Sequence, residues 1–168
     1  MGCGKLIVAR TESHVIKRGD ALWNTVDMNC FYSKNLYNLG NYMIRQEFLN
    51  NWRWIRYKEL DKLMQETDAY KELKSQPSQC VLQVLDRSWK SFFVTIKDWN
   101  KNPDKYLGRP KIPKYLSKSG RYPWYIKNNS CYIKDQVLHF QVKRLHGATF
   151  PTRTNGRLLC VRFIPLVS

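Results

Sequence analysis

Hydrophobic residues recur at helical spacing through the first part of the chain. From about residue 20 to residue 50 they fall four, three and four positions apart, which predicts one apolar face on a long helix. Asp20 is predicted to cap the start of that helix. The predicted apolar face consists of Tyr32, Leu36, Leu39 and Met43. The predicted opposite, polar face carries Asn35, Asn38 and Arg45.

Two further helices are predicted before residue 103. The first starts near Tyr57 and is expected to bury Leu60, Leu63 and Met64 among alternating charges. The second follows Pro77 and has the clearest pattern of the chain, with apolar residues at spacings of 4, 4, 3, 4 and 3. Its predicted core face consists of Val81, Leu85, Trp89, Phe92, Ile96 and Trp99. Its other face carries a basic stripe of Arg87, Lys90, Lys97 and Lys101.

Proline separates this helical part from the rest of the chain. Six of the seven prolines lie at or beyond Pro103, where they exclude long helices. Residues 107–115 are predicted to be an extended basic segment, and alternating apolar residues from Arg121 onwards predict short strands. Their buried faces are expected to include Leu138, Phe140 and Val142, then Leu159, Val161 and Phe163. Turns are predicted at residues 134–136 and 154–156, and residues 5–11 predict one more strand, so the fold class is α+β.

Charge points to a polyanionic partner. The 168 residues carry a formal net charge of +16, and residues 103–168 contribute +11 of it, from 13 Lys and Arg against two Asp. Lysine and arginine placed on phosphates release condensed counterions, so nucleic acid is the first hypothesis, with a membrane surface or a merely solvated surface as alternatives. No apolar run approaches the roughly 18 residues of a membrane span, and a cytoplasmic location without membrane contact is expected.

Catalytic chemistry is poorly supplied. The 13 acidic residues are scattered, and no paired carboxylates suited to a two-metal site stand out. His14, His139 and His146 have no nucleophile or acid partner by spacing. Five cysteines are widely separated, without a Cys-x-x-Cys pair, which favours reduced and mostly buried thiols over a zinc site. We therefore expect no catalytic centre, metal or cofactor in this chain.

Residues 105–127 instead combine cations with aromatic rings. Cations can hold phosphates while exposed rings stack on unpaired bases, a mixture suited to RNA or opened DNA. The cations are Lys105, Arg109, Lys111, Lys114, Lys118, Arg121 and Lys127. The candidate stacking residues are Tyr115, Tyr122 and Trp124, with Tyr106 and Tyr125 nearby. The alternative interpretation is that these rings are half-buried strand residues and the cations only coat the outside.

Five short strings in one order resemble a known family. They are SKNLYN at 33–38, PSQ at 77–79, LDRSWKSFF at 85–93, GRPKIPKY at 108–115 and VRFIP at 161–165. Together they resemble the N-terminal half of TnpB, the transposon-encoded RNA-guided nuclease also called OrfB transposase and related to type V CRISPR effectors. The resemblance spans nearly the whole chain.

The resemblance implies a small antiparallel β-barrel, the wedge domain, with an inserted helical recognition lobe. Residues 1–19 would give the first barrel strand, 20–102 the helical lobe and 103–168 the remaining strands. Such a module would bind a structured guide RNA and target DNA, and it would read a short transposon-adjacent DNA motif. The positions that match the family's motif readers are Tyr57, Gln79, Lys127 and Asn128, although a threonine would be expected near Lys127.

The resemblance also implies a continuation that these 168 residues do not contain. In TnpB proteins the strand matching residues 161–165 is followed by more strands and a RuvC-like nuclease domain. That domain opens with Asp-x-Gly, carries the Mg²⁺ ligands and includes a four-cysteine zinc ribbon. A chain cut before the nuclease is therefore expected, with Mg and Zn sites only in the missing half. The open alternatives are a nuclease completed by a RuvC-containing chain in trans, an unrelated cytosolic RNA-binding protein, and a decayed copy without function.

Overall fold

A computed structural model describes residues 11–154 and 158–165, which form four helices and five strands in an α+β arrangement. This confirms the predicted fold class. The helices are α1 Trp23–Asn51, α2 Tyr57–Met64, α3 Asp68–Leu73 and α4 Ser75–Lys101. The strands are β1 Trp124–Lys127, β2 Cys131–Lys134, β3 Val137–Phe140, β4 Thr149–Pro151 and β5 Cys160–Phe163. Of the strand predicted over residues 5–11, only Thr11 lies within the described residues, and it is not in a strand.

Helix α1 begins three residues later than predicted, so Asp20 is not its N-cap. The Asp20 carboxylate accepts a hydrogen bond from the Lys17 backbone N–H at 2.7 Å, and the Asp20 carbonyl accepts one from Trp23 N–H at 2.9 Å. The carboxylate therefore closes the preceding turn and is not available to the first helical turn. Leu22 occupies the cap position without a side-chain hydrogen bond.

Helices α1 and α4 form the centre of the helical part, and they approach each other closely at Gly40. A Cβ atom at Gly40 would lie 3.1 Å from side-chain methyl groups of both Leu82 and Leu85, closer than most real Cβ contacts. The predicted core face of α4 is confirmed at Val81, Leu85 and Trp89, which are fully buried. Farther along, Phe92, Ile96 and Trp99 are only partly buried, because the last turns of α4 have less of the molecule packed over them.

The region between α1 and α4 differs from the prediction in two ways. Leu63 is 48% exposed, and Asp61 takes the place expected for it on the buried face of α2. The Asp61 carboxylate accepts hydrogen bonds from the Tyr70 hydroxyl and the Gln65 amide, both at 3.0 Å, which satisfies the buried charge. Helix α3 was not predicted; Thr67 caps it by accepting a hydrogen bond from Tyr70 N–H at 3.4 Å.

The strands form two small antiparallel sheets, β1–β5 and β2–β3–β4. Within the described residues they do not close into one barrel. The predicted turn at 134–136 is confirmed: Asp135 and Gln136 have φ values of 49° and 58°, as a two-residue type I′ hairpin requires. The turn predicted at 154–156 lies mostly outside the described residues. In the last predicted strand Phe163 is buried, but Leu159 precedes β5 and is exposed, which corrects that position.

The helices and both sheets share one hydrophobic core. Side chains of α1 and α4 belong to the same buried cluster as Trp124 and Phe163, whose rings stack at 5.1 Å across the β1–β5 pair. Residues 11–16 lie beside β4, because the Glu12 carboxylate accepts hydrogen bonds from the Thr152 hydroxyl at 2.7 Å and from Arg153 N–H at 3.2 Å. None of the helices in the described ranges has the length and apolar character to cross a bilayer.

Lys74, between α3 and α4, has φ 71° and ψ 160°, a conformation that is favourable almost only for glycine. We predict that Lys74→Gly stabilises the fold by about 1 kcal/mol, because relief of strain exceeds the entropy that glycine adds to the unfolded chain. Urea unfolding measures the difference. Lys74→Ala removes the same charge but keeps the strain, so it should not stabilise; equal stabilisation by both variants would contradict the explanation.

Candidate nucleic-acid interface

The extended basic segment predicted over residues 107–115 is longer in the structure, where residues 106–123 contain no helix or strand. We call this whole range the basic segment. Side chains of α1 hold it by binding its backbone. The Asn38 amide donates to the Leu116 carbonyl at 3.0 Å, and its oxygen accepts from Leu116 N–H at 2.9 Å. About two turns further along α1, Arg45 donates to the Pro113 carbonyl at 3.0 Å. Lys34 donates to the Lys118 carbonyl at 2.8 Å, one turn earlier. The segment is therefore fixed without a strand partner.

Asn41 is the central residue of this arrangement and is 0% exposed. Its amide nitrogen donates to the Pro113 carbonyl at 3.1 Å and to the Lys114 carbonyl at 3.3 Å. Its oxygen accepts a hydrogen bond from the indole N–H of Trp89 at 3.0 Å. One buried side chain thus connects α1, α4 and the basic segment.

Because α1 binds the carbonyl groups of the segment, its cationic side chains remain at the surface. Four of them, all predicted to contact a nucleic-acid backbone, are exposed: Arg109, Lys111, Lys114 and Lys118. Lys105, which directly precedes the segment and carries the same prediction, is exposed as well. Tyr115 is 45% exposed, and Arg45 lies 4.7 Å from the centre of its ring. Tyr115 therefore keeps an accessible ring and stays a candidate for base stacking.

The predicted basic stripe on α4 is also exposed. Arg87, Lys90, Lys97 and Lys101 all face solvent, and at 100° per residue they fall within an arc of about 80°. Among the described residues, no carboxylate forms an ion pair with any of these four. The two acidic residues of α4 are engaged elsewhere: Asp86 with Arg56 at 3.3 Å, and Asp98 with the Tyr106 hydroxyl.

Arg121 does not fit the role predicted for it. Its guanidinium forms two hydrogen bonds to the Asp27 carboxylate at 2.8 and 2.7 Å, and it also donates to the Ser119 and Gly120 carbonyls. Such a bidentate pair leaves little donor capacity for a phosphate. We therefore reassign Arg121 from backbone contact to structure: it fastens the end of the basic segment to α1.

Two predicted stacking residues are core residues in the structure. Trp124 is 1% exposed, with one ring face against Phe163. Tyr122 is half-buried beside Tyr37, with ring centres 4.7 Å apart, and burial raises the pKa of its hydroxyl. Packing against Phe163 and Tyr37 places both rings on the inner side of the chain. The alternative interpretation, that these rings are buried and not stacking residues, fits both: Trp124 is fully buried in β1, and Tyr122 is half-buried just before that strand.

The four predicted motif-reading residues lie around the first turns of α4. Gln79 lies one turn from the start of the helix, and its side chain contacts the Tyr70 hydroxyl. The Tyr57 hydroxyl contacts the side chain of Gln83. Lys127 N–H donates to the Gln76 side-chain oxygen at 3.2 Å. Asn128, the next residue along the chain, is exposed. The structure thus places all four near the N-terminal end of α4.

The sequence interpretation missed the residues that hold this interface together. Asn38 and Arg45 were predicted on the polar face of α1, opposite its apolar face, and no role was predicted for Asn41 or Gln76. Gln76 contacts the loop after β1 through Asn129 and through the Ser130 hydroxyl at 3.1 Å. A signal was present, because asparagines at 35, 38 and 41 recur on a helix although asparagine is a weak helix former.

The described cysteines are free thiols that differ in burial. Cys30, Cys80 and Cys131 are buried free thiols, as predicted, whereas Cys160 is exposed and Cys3 lies outside the described residues. Burial raises the pKa of Cys30 and of Cys131 to about 11. In the ranges that the structure describes, no three His, Cys, Asp or Glu side chains are grouped so that they could hold a metal ion.

The sequence matches no protein-family model and no curated protein. The resemblance to TnpB therefore rests on the five strings alone.

We predict that Asn41→Leu destabilises the fold by about 2 to 4 kcal/mol, because it leaves the buried Trp89 indole N–H without its partner and removes the hydrogen bonds from Asn41 to the Pro113 and Lys114 carbonyls. The control is Asn35→Leu, a chemically identical change at a partly exposed position of the same helix, which should cost less than about 1 kcal/mol. Urea unfolding of both variants compares them. Similar losses in the two would show that Asn41 does not connect the three elements.

We predict that iodoacetamide at pH 8 modifies Cys160 in the folded protein well before the other three described cysteines. Cys160 is exposed, while Cys30 and Cys131 are buried and have raised pKa values that leave them almost fully protonated. Peptide mass spectrometry over time measures the order of reaction. The same reaction in urea is the control and should remove the difference; early modification of Cys30 in native protein would contradict the packing described.

Proposed function

We propose that this chain is a nucleic-acid-binding module, similar to the N-terminal half of TnpB, that binds structured guide RNA and target DNA. The observation that carries the proposal is the pair of exposed, unpaired cationic rows on α4 and on residues 105–118. They belong to neighbouring elements that Asn41 and Trp89 hold together. Exposed cations without carboxylate partners break no ion pair when they contact a phosphate backbone, which favours this partner over a merely solvated surface.

The finer architecture is part of the proposal. Glu12 and His14 contact residues 150–153, which supports an arrangement in which the described part of residues 1–19 lies beside the strands after residue 103. In the proposed arrangement those strands belong to the wedge-like barrel, and α1–α4 form the recognition lobe. Tyr57, Gln79, Lys127 and Asn128 are proposed to meet the transposon-adjacent DNA, since a glutamine can bind adenine in the major groove through two hydrogen bonds. No catalytic role is proposed for this chain.

We predict that the protein retains a TnpB guide RNA on filters more tightly than a scrambled RNA of equal length, and that affinity falls steeply with salt. Lys90→Ala with Lys97→Ala should weaken binding and reduce the salt slope by about 1 to 2, because each lysine on a phosphate contributes close to one released ion. The measurement is retention across a salt series at constant pH.

The matched control is Lys62→Ala with Lys71→Ala, an equal charge change on α2 and α3. It should leave the salt slope nearly unchanged. Equal and weak retention of both RNAs by the unmodified protein would overturn the proposed function. Equal effects of the two double variants would show that net charge, and not the α4 stripe, sets the affinity.

A further inference from the structure

A groove of 640 Å³ lies between α4 and the basic segment, and the motif-reading positions and the α4 lysines lie outside it. One wall is the flank of α4, with Ser91 and Thr95. The other is the segment's Pro110, Lys111 and Pro113. Tyr37 of α1 also lines the groove. We name this the α4 groove. Its size is within the range of sites that hold small organic ligands.

The polar groups of the α4 groove include hydroxyls that the fold does not use. Tyr37 is 7% exposed, yet its hydroxyl forms no hydrogen bond with any described residue. Ser91 and Thr95 likewise have no hydrogen-bond partner in the described part of the chain, whereas Ser88 donates to the Val84 carbonyl at 3.1 Å. A nearly buried tyrosine hydroxyl without a partner, in a wall of an open groove, is suited to a ligand that brings its own polar atoms.

The charge around the groove favours an anionic ligand. Arg87 and Lys111 stand on opposite walls, both exposed and both without an ion pair in the described residues. The carboxylates that could oppose them are absent or occupied: residues 105–123 contain no acidic residue, and Asp86 and Asp98 of α4 are bonded to Arg56 and Tyr106. The groove is therefore positive on two sides, with hydroxyl donors between them.

Its shape selects an unpaired strand over a duplex. The wall formed by Pro110 and Pro113 is rigid, because Asn41 and Arg45 fix the Pro113 carbonyl. A groove of 640 Å³ cannot admit a double helix, whereas one or two nucleotides can enter it. The partly buried Phe92 also lines the groove, and an aromatic ring beside cations is the usual chemistry of single-strand sites.

We propose that the α4 groove binds one or two unpaired nucleotides of a single strand, with Arg87 and Lys111 on phosphates and the Tyr37 hydroxyl on a base or sugar. This rests on the proposed function and deepens it, since it assigns the unpaired part of a bound nucleic acid to the α4 groove, which shares Arg87 and Lys111 with the two cationic rows. It requires no metal and no covalent step.

Tyr37→Phe is the sharpest test because it removes only the hydroxyl and keeps the contact with Tyr122. Fluorescence anisotropy would compare two probes, a ten-nucleotide oligouridine and a blunt-ended RNA duplex, which has no unpaired nucleotides. We expect Tyr37→Phe to weaken oligouridine binding about three- to tenfold, as the loss of one hydrogen bond predicts, and to leave duplex binding unchanged. Tyr42→Phe, at an exposed tyrosine of the same helix, is the matched control and should change neither.

Ser91→Trp, which fills the groove from its exposed rim, should weaken oligouridine binding further while the thermal midpoint confirms folding. A ten-nucleotide oligothymidine compares DNA with RNA in the same site. If groove variants bind both probes as the unmodified protein does, or lose both equally, the groove proposal is overturned and the proposed function is not. If the unmodified protein binds neither the oligonucleotides nor guide RNA, the proposed function itself fails.

Discussion

The structure depends on one unusual interaction: a helix binds the backbone of a segment that has no regular secondary structure of its own. Residues 106–123 contain prolines that remove donors and prevent helix or central-strand pairing, yet carbonyl groups close to the core need partners. Asn38, Asn41 and Arg45 of α1 supply donors to those carbonyls. Without them the segment would have to be solvated, and its cations would lose their fixed positions.

Because the side chains of α1 are used on carbonyls, the segment's own side chains are left for other contacts. The same constraint creates the two surfaces that are proposed to bind nucleic acid. The row of cations on residues 105–118 lies on the outer side, and the α4 groove lies between the segment and the helix. Asn41 also accepts the Trp89 indole N–H, so the hydrophobic core and the charged surface are coupled through one residue. A preorganised surface of this kind spends less binding energy on ordering.

Much of the fold follows from the sequence because the relevant signals are local. Helical spacing predicted α1, α2 and α4, and the Lys134–Gln136 turn follows from backbone preferences of short hairpins. Leu63 and Asp61 exchanged roles because burial of an aspartate depends on the Tyr70 hydroxyl, which the chain supplies nine residues later. Helix α3 has only six residues, too few for a periodic pattern.

The candidate site was predicted in part. Exposure of the α4 cations follows from the opposite apolar face, and their position needs no tertiary information. Trp124 and Tyr122 required that information: alternation shows that a ring is on one face, and only packing against Phe163 or Tyr37 decides which face is inside. Arg121 was misassigned for the same reason, since its partner Asp27 is 94 residues away.

The central proposal is that α4 and the basic segment together form the nucleic-acid surface. Ultraviolet cross-linking of a bound TnpB guide RNA, followed by mass spectrometry of the cross-linked peptides, tests it most directly. We expect cross-links within residues 84–101 and 105–118, and few on the β2–β3–β4 sheet. Cross-links concentrated on that sheet or on α2 and α3, with α4 and the segment unmodified, would contradict it.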